Sequence, residues 1–465
     1  MLFSSIPFIF QFLPITLVLY YIAPKKLQNV VLMLMSLVFY AWGEIKYLPL
    51  MVILILLSYF YSLLMRGLNE KEKARKFLLI IMIIVSLGLL VTFKYLDFLI
   101  LNVNNLFLLN IKGLKLALPL GISFFTFQNI SYAVDVYRRK VEPQKNFIIL
   151  GTYIVMFPQL ISGPIVRYSD IEPLLRHRTL KKENIENGME DFIIGLAMKM
   201  LLANNVGKLW TEIENLGFSR ISKSLAWLAI IAYSLQIYFD FAGYSRMAIG
   251  LGKMLGFSFN ENFDTPYISR SATEFWRRWH ISLGSWFRDY VYFPLGGSRK
   301  GNGRTILNLL VVWVLTGLWH GASWNFLIWG VYFFILLVIE KNGFISFLNK
   351  RRWISHIYMI FVIPIGWALF AISDFSLLVE FFKKLFIPKA LLNIDFVLIS
   401  SRYYLRNYAL ILVLAILLST SLGSKLLEKI KKNNVIKVIL LSVLFLLSVI
   451  YMIDSSFSPF LYFRF

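Results

Sequence analysis

The chain of 465 residues is 58% hydrophobic and 16% charged, with no cysteine and four histidines, and its mean hydropathy is +0.69. A soluble domain of this length carries roughly a quarter charged residues, so composition excludes a soluble fold, and the cysteine count excludes disulfides and thiolate metal sites. The formal charge of +23 sits in short clusters between apolar runs, the positive-inside pattern of a membrane protein and not the basic face of a nucleic-acid binder.

Crossing the hydrocarbon layer takes about 18 or more apolar residues, and Ile6–Ala23, Leu48–Met65, Phe77–Phe93 and Leu116–Val134 are the clearest runs of that kind. The first lacks a basic leader, contains Pro7 and Pro14, and shows no small-residue cleavage site before Lys25, so it reads as a retained span. Basic clusters at Arg66 to Lys76, Arg138 to Lys145, Arg176 to Lys182, Arg299 to Arg304, Lys341 to Arg352 and Lys425 to Lys432 are assigned to the cytoplasm. The N-terminus is then outside. Ile6–Ala23 enters, Gln28–Trp42 leaves, Leu48–Met65 returns, Phe77–Tyr95 leaves and Leu116–Val136 returns.

Phe147–Ile161 lies between two basic clusters and contains Pro158, which predicts a re-entrant segment with a broken backbone. Gly188–Val206 leaves and Leu225–Phe241 returns. Asp240 to Arg304 is the least membrane-like stretch and predicts cytoplasmic-face, partly buried helices. As one straight helix Ile306–Glu340 would be about 52 Å long, too long for one crossing. A hairpin is expected, turning near His320–Trp324 where Gly321, Ala322 and Ser323 supply small residues. Ile354–Ile372, Tyr408–Leu422 and Val438–Ile453 follow, leaving Asp454–Phe465 outside. The fold class is all-α: a polytopic membrane protein of about 10–12 membrane helices, re-entrant segments included.

Within these elements His320 is the first candidate for chemistry. It lies in Thr316-Gly317-Leu318-Trp319-His320-Gly321-Ala322-Ser323-Trp324, and an ionisable group at membrane depth usually marks a function or a water-filled cavity. Imidazole can take a proton from an attacking hydroxyl and return it to a leaving thiolate. The plainer reading is a histidine bonded to a neighbouring helix. His280, in Phe275-Trp276-Arg277-Arg278-Trp279-His280-Ile281-Ser282-Leu283, is a second candidate, although a Trp/Arg-rich stretch also describes an interfacial belt. The Gly-rich basic run from Arg288 to Lys300 could hold a phosphate, but it matches no nucleotide fingerprint. Asp135, Asp240, Asp264 and Asp289 each lie near apolar segments, as half of an ion pair or as part of a site.

Taken together, these stretches resemble the membrane-bound O-acyltransferase family. Arg288-Asp289-Tyr290 with Pro294-Leu295-Gly296-Gly297 is similar to its bacterial alginate and peptidoglycan O-acetyltransferase branch. So are Asp240-Phe241-Ala242-Gly243-Tyr244-Ser245, Ser162-Gly163-Pro164-Ile165-Val166-Arg167-Tyr168 and Pro459-Phe460-Leu461-Tyr462-Phe463-Arg464-Phe465. The resemblance implies a single membrane-embedded domain over 1–465, with helices in 1–110, a catalytic core over 116–340, further helices in 354–453 and an extracytoplasmic tail, 454–465. It implies a cytoplasmic funnel for an acyl donor, acetyl-CoA or another thioester, with no bound cofactor and no metal. His320 takes the place of the family's catalytic histidine, and His280 that of a second tunnel residue, His in this branch and Asn in many eukaryotic members. Tyr462 matches the tyrosine that carries the acyl group outward. The expected substrate-binding residues are Asp240, Arg277, Arg278, Trp279, Arg288, Asp289, Trp319 and Trp324. The resemblance further implies a bacterial inner membrane, an extracytoplasmic SGNH-hydrolase-like acetyltransferase as partner and a polysaccharide acceptor. D-alanyl transfer to teichoic acid is the rival enzyme reading, and a proton-coupled transporter or flippase the rival from another class.

Overall fold

The computed structural model describes residues 1–161, 163–387 and 401–454. Apart from one isolated bridge pairing Phe263 with Trp279, the regular structure of these residues is helical. Hydrocarbon offers the backbone no hydrogen bonds, so each span must satisfy its own. At least seven helices among the described residues are long and apolar enough to cross a membrane. The chain is a multi-pass membrane protein. Its described residues form two compact units, one of 1–192 with 244–261, the other within 193–243 and 262–465.

The first unit contains Phe8–Ile22, Gln28–Glu44, Leu48–Gly67 and a continuous helix Glu72–Phe107. The expected span Phe77–Tyr95 thus runs on to Phe107. Asp97, the first charge beyond Tyr95, does not end the helix because its carboxylate accepts the backbone N–H groups of Leu114 (2.8 Å) and Lys115 (2.9 Å). The expected span Leu116–Val136 is helical only over Ile122–Tyr137. Gly121 forces the later start: its φ is +75°, and a Cβ there would lie 2.6 Å from the Leu160 carbonyl oxygen. Phe147–Ile161 is broken as Pro158 suggested, into Phe147–Val155 and Phe157–Leu160 with a kink at Met156 (ψ 112°). Phe3, Phe8, Phe12, Phe39 and Phe157 pack as an aromatic core, with Tyr244 stacked on Phe3 at 4.6 Å.

The second unit holds the candidate chemistry. Leu225–Phe241 proves to be part of one 32-residue helix, Lys223–Met254. Asp240 does not end that helix because its carboxylate lies 2.5 Å from Lys199 Nζ, with both side chains buried. A paired charge is tolerated inside an apolar bundle where a lone one is not. Of the stretch Asp240 to Arg304, expected to form cytoplasmic-face helices, residues 240–254 belong instead to that long helix and 302–304 to the next. Between them lie the short helices Ala272–Arg278 and Ile281–Phe287 and the π turn Arg288–Tyr292. The expected hairpin is present as Asn302–His320 and Trp324–Ile339, broken at Gly321–Ser323. Gly317 lets its two arms approach, since a Cβ there would meet the Phe326 carbonyl oxygen at 2.5 Å. Tyr408–Leu422 ends early: Arg402–Leu418 bends by 83° into Ser421–Ile430.

Candidate active site

His320 is the last residue of helix Asn302–His320, placed where the hairpin must turn. Its side chain is buried, 5% exposed. Trp329 at 4.9 Å and Phe370 at 5.1 Å meet the ring edge-on, with Phe326 stacked at 6.4 Å. These walls come from the returning arm of the hairpin and from Arg352–Ala371. Aromatic walls exclude water, and charge–dipole interactions inside such a site are stronger than in solution.

His280 lies between two short helices with φ +46° and ψ 54°, a left-handed conformation uncommon for a residue with a Cβ. Strain of this kind persists where surrounding bonds over-determine it, and here they do. The Asn262 carbonyl oxygen accepts the Ile281 N–H (3.0 Å). Asn262 Oδ1 accepts the Ser282 N–H (3.1 Å) and the Ser282 hydroxyl (2.9 Å), and lies 3.2 Å from His280 Nδ1.

That geometry fixes the tautomer. A backbone N–H can only donate, so the atom facing Ser282 N is the amide oxygen. An amide oxygen can only accept, so His280 Nδ1 carries the proton. The lone pair therefore sits on Nε2, which is buried and has no hydrogen-bond partner among the described residues. The ring packs on Phe241 at 4.7 Å and on Trp319 at 5.8 Å. Trp319 also contacts His320, at 5.1 Å. The two histidines thus share one buried tryptophan.

Burial holds the His280 imidazole well below its ordinary 6.5, at about 3, so it is neutral at physiological pH. A histidine with a depressed folded-state value contributes stability that is present above the unfolded value near 6.5 and lost as pH falls towards 3. Thermal melting in detergent should fall over that window in the wild type. His280→Asn, which removes the titrating group, should flatten the fall. Parallel pH profiles would show that His280 is not the titrating residue.

A residue the sequence did not mark supports this segment. Glu340 is fully buried, and its carboxylate accepts the N–H groups of Ala272 (2.6 Å) and Thr273 (2.8 Å), the Thr273 hydroxyl (2.6 Å) and the Tyr358 hydroxyl (3.1 Å). With Ser271 Oγ accepting from Glu274 N at 3.0 Å, it pins the first turn of the helix that leads to His280. Anionic oxygens at a helix N-terminus are favourable. Glu340→Ala leaves several buried donors unpaired and should cost about 3 kcal/mol, read as a loss of thermal stability that Glu340→Gln partly restores. An unchanged melting temperature for Glu340→Ala would contradict that role.

The other expected site residues are distributed unevenly. Trp319 is buried between the histidines, and Trp279 is buried against Trp367 (4.8 Å), Phe263 (5.0 Å) and Phe275 (5.5 Å). Asp240 is committed to Lys199, one residue before Phe241, whose ring touches His280. Arg278 pairs with Glu274 (3.0 Å) and Asp264 (2.9 Å), and Arg288 with Asp289 (2.9 Å). Arg277 is exposed, and Trp324 is 51% exposed at the start of the returning arm. Tyr462 lies outside the described residues. No group of three or more His, Cys, Asp or Glu among the described residues is arranged to hold a metal ion.

Comparison with known proteins adds to this geometry. The profile of the membrane-bound O-acyltransferase family matches residues 49–379. A Pseudomonas aeruginosa protein named alginate O-acetylase AlgI is 38% identical over 396 residues, covering 83% of this chain and 75% of the relative. A peptidoglycan O-acetyltransferase of Helicobacter pylori is 35% identical, covering 73% of this chain and 70% of the relative. A teichoic acid D-alanyltransferase of Bacillus subtilis is 31% identical, over 50% of this chain and 62% of the relative.

Proposed function

This chain belongs to the membrane-bound O-acyltransferase family and is an O-acyltransferase, and from that premise we propose that it exports acetyl groups for a polysaccharide. The donor is a cytoplasmic thioester, acetyl-CoA or an acylated carrier, and the chain sits in the inner membrane of a bacterium. The acceptor is a hydroxyl on the outer side, and the acetyl group it takes up is passed on to an SGNH-hydrolase-like transferase that esterifies the polymer. The observation that carries this reading is the meeting of His280 and His320 at Trp319 inside an aromatic enclosure. The names of the alginate and peptidoglycan relatives support acetyl as the group and a polysaccharide as the destination. D-alanyl transfer has weaker support, because that match covers half of the chain. The transporter reading gives way to the family.

In this reading His320 removes the proton from the attacking hydroxyl as its oxygen bonds to the thioester carbonyl carbon. The carbon–sulfur bond then breaks, and the proton passes to the departing thiolate. His280 has a different task. With its proton on Nδ1, its Nε2 accepts and does not donate, so it positions an N–H or O–H of a substrate and does not stabilise an oxyanion. Of Arg277, Arg278 and Arg288, Arg277 makes no ion pair among the described residues and serves the donor phosphates best. Tyr462 is the hydroxyl that takes the acetyl group. The test is direct: purified protein in nanodiscs, given acetyl-labelled CoA or a labelled acyl carrier, should move or release the label in a manner that requires His320. Inertness towards both donors overturns the reading.

A further inference from the structure

The first unit contains a cavity of about 890 Å³ that shares no lining residue with the histidine site. Its walls carry six cationic side chains, Lys25, Lys26, Arg176, Arg178, Lys181 and Lys253, and no Asp or Glu. Two of the six are ion-paired, Arg176 with Glu172 and Lys253 with Asp191, a carboxylate that Arg246 shares. Lys25, Lys26, Arg178 and Lys181 make no ion pair among the described residues.

A topology signal needs only positive charge in a loop; this cavity has more structure than that. Arg178 is fixed in the wall. Its Nε donates to the Tyr20 hydroxyl (2.5 Å), and its Nη1 donates to Asn29 Oδ1 (2.8 Å) and to the Leu174 carbonyl (3.2 Å). The guanidinium also lies 4.8 Å from the centre of the Phe257 ring. Its Nη2 is covered and has no hydrogen-bond partner among the described residues. Three neutral acceptors orient the group, but no carboxylate balances its charge. Asn184, Asn187 and Ser258 add neutral polar groups to the lining. The cavity adjoins Lys25 and Lys26, just beyond the apolar helix Phe8–Ile22, whose last residue is 78% exposed. Lysines just past an apolar run are characteristic of a membrane–water interface.

We propose that this cavity binds a phosphate-bearing group, the headgroup of an anionic phospholipid or the phosphates of a soluble nucleotide. Planar guanidinium and flexible ammonium groups around one space suit phosphate oxygens, and a basic pocket at headgroup depth is a recurrent site for anionic lipid. The occupant supplies the missing negative charge opposite Arg178.

Two arms separate the sources. Native mass spectrometry of protein released from mixed nanodiscs compares retained phosphatidylglycerol with phosphatidylcholine, and calorimetry in zwitterionic detergent measures binding of adenosine 3′,5′-bisphosphate. The proposal expects selective retention of the anionic lipid or salt-sensitive binding of the bisphosphate. In either arm Lys26→Gln/Lys181→Gln should weaken the interaction about tenfold without changing thermal stability, because both side chains are exposed. Arg178→Gln should abolish it, and the lysine variant keeps the test decisive if the arginine variant misfolds. Equal retention of the two lipids together with no bisphosphate binding overturns the proposal. So does selective binding that the lysine variant leaves intact.

Discussion

His320→Ala should lower acyl transfer by about two to four orders of magnitude. The argument for so large a loss is positional. His320 ends the first arm of the hairpin and lies within 5.1 Å, centre to centre, of the rings of Trp319, Trp329 and Phe370. Water cannot readily replace its imidazole as a base in that enclosure. Removing a buried ring also leaves a cavity, and large-to-small changes of this kind cost about 3–5 kcal/mol for a fully buried aromatic. Some loss of stability is therefore expected for packing reasons alone, and the measurement must be transfer per folded molecule, with folding followed by thermal melting. His320→Gln distinguishes the roles further: it fills much of the space and keeps a polar end but cannot act as a base near neutrality. A packing histidine tolerates that change. If His320→Gln transfers label at near the wild-type rate, His320 is not the base.

Much of the frame around this residue was readable before the structure. The hairpin followed from length alone, since Ile306–Glu340 exceeds one crossing and carries Gly321, Ala322 and Ser323 near its middle. The break at Met156 followed from Pro158. Boundaries failed where a helix ran on beyond its apolar run: Leu225–Phe241 extends to Met254 and Phe77–Tyr95 to Phe107, with Asp240 and Asp97 accommodated by distant groups, Lys199 in one case and the Leu114 and Lys115 amides in the other. A single sequence shows that a carboxylate is present; it does not show its partner. The same limit applied to the arginines, where Arg278 and Arg288 turned out to be paired with acids and Arg277 did not.

The least legible parts are the supports of His280. Asn262 lies in Phe259-Asn260-Glu261-Asn262-Phe263, in which no motif singles it out, and its effect on the imidazole operates across 18 residues of chain. Glu340 acts at still longer range, on Ala272 and Thr273. From sequence it looked like the end of the hairpin arm. A buried carboxylate beyond a long apolar run was the available signal, because such a group must find donors or remain uncharged. The donors lie on a segment that only folding brings near. The choice of tautomer, and with it the distinction between a hydrogen-bond acceptor and an oxyanion donor, was therefore beyond sequence reasoning even with His280 identified.

The second large effect concerns Tyr462: Tyr462→Phe should abolish transfer of label from the thioester and reduce acetylation of the external polymer to background. The substitution removes one hydroxyl oxygen and keeps the ring. An aromatic anchor at the membrane surface gains from its ring and its amphipathic edge, so an anchor loses little. A carrier loses the atom that forms the ester. The expectation depends on topology, because the relay needs Tyr462 on the side where the polymer lies. Lys425, Lys429 and Lys432 precede the apolar helix Asn434–Asp454, so positive-inside placement of those lysines puts the residues after Asp454 outside. Tethering also matters: a hydroxyl held near the thioester by a few residues of chain reacts at a high effective concentration, which a diffusing acceptor does not reach. Three measurements check the relay. Mass spectrometry of protein quenched during turnover should find an acetyl ester on Tyr462, polymer acetylation should fail in Tyr462→Phe, and a cysteine placed beside Tyr462 should react with an impermeant reagent from outside. Wild-type acetylation by Tyr462→Phe would remove Tyr462 from the relay and leave His320 with another acceptor, while labelling only from the cytoplasm would reverse the placement on which the relay rests.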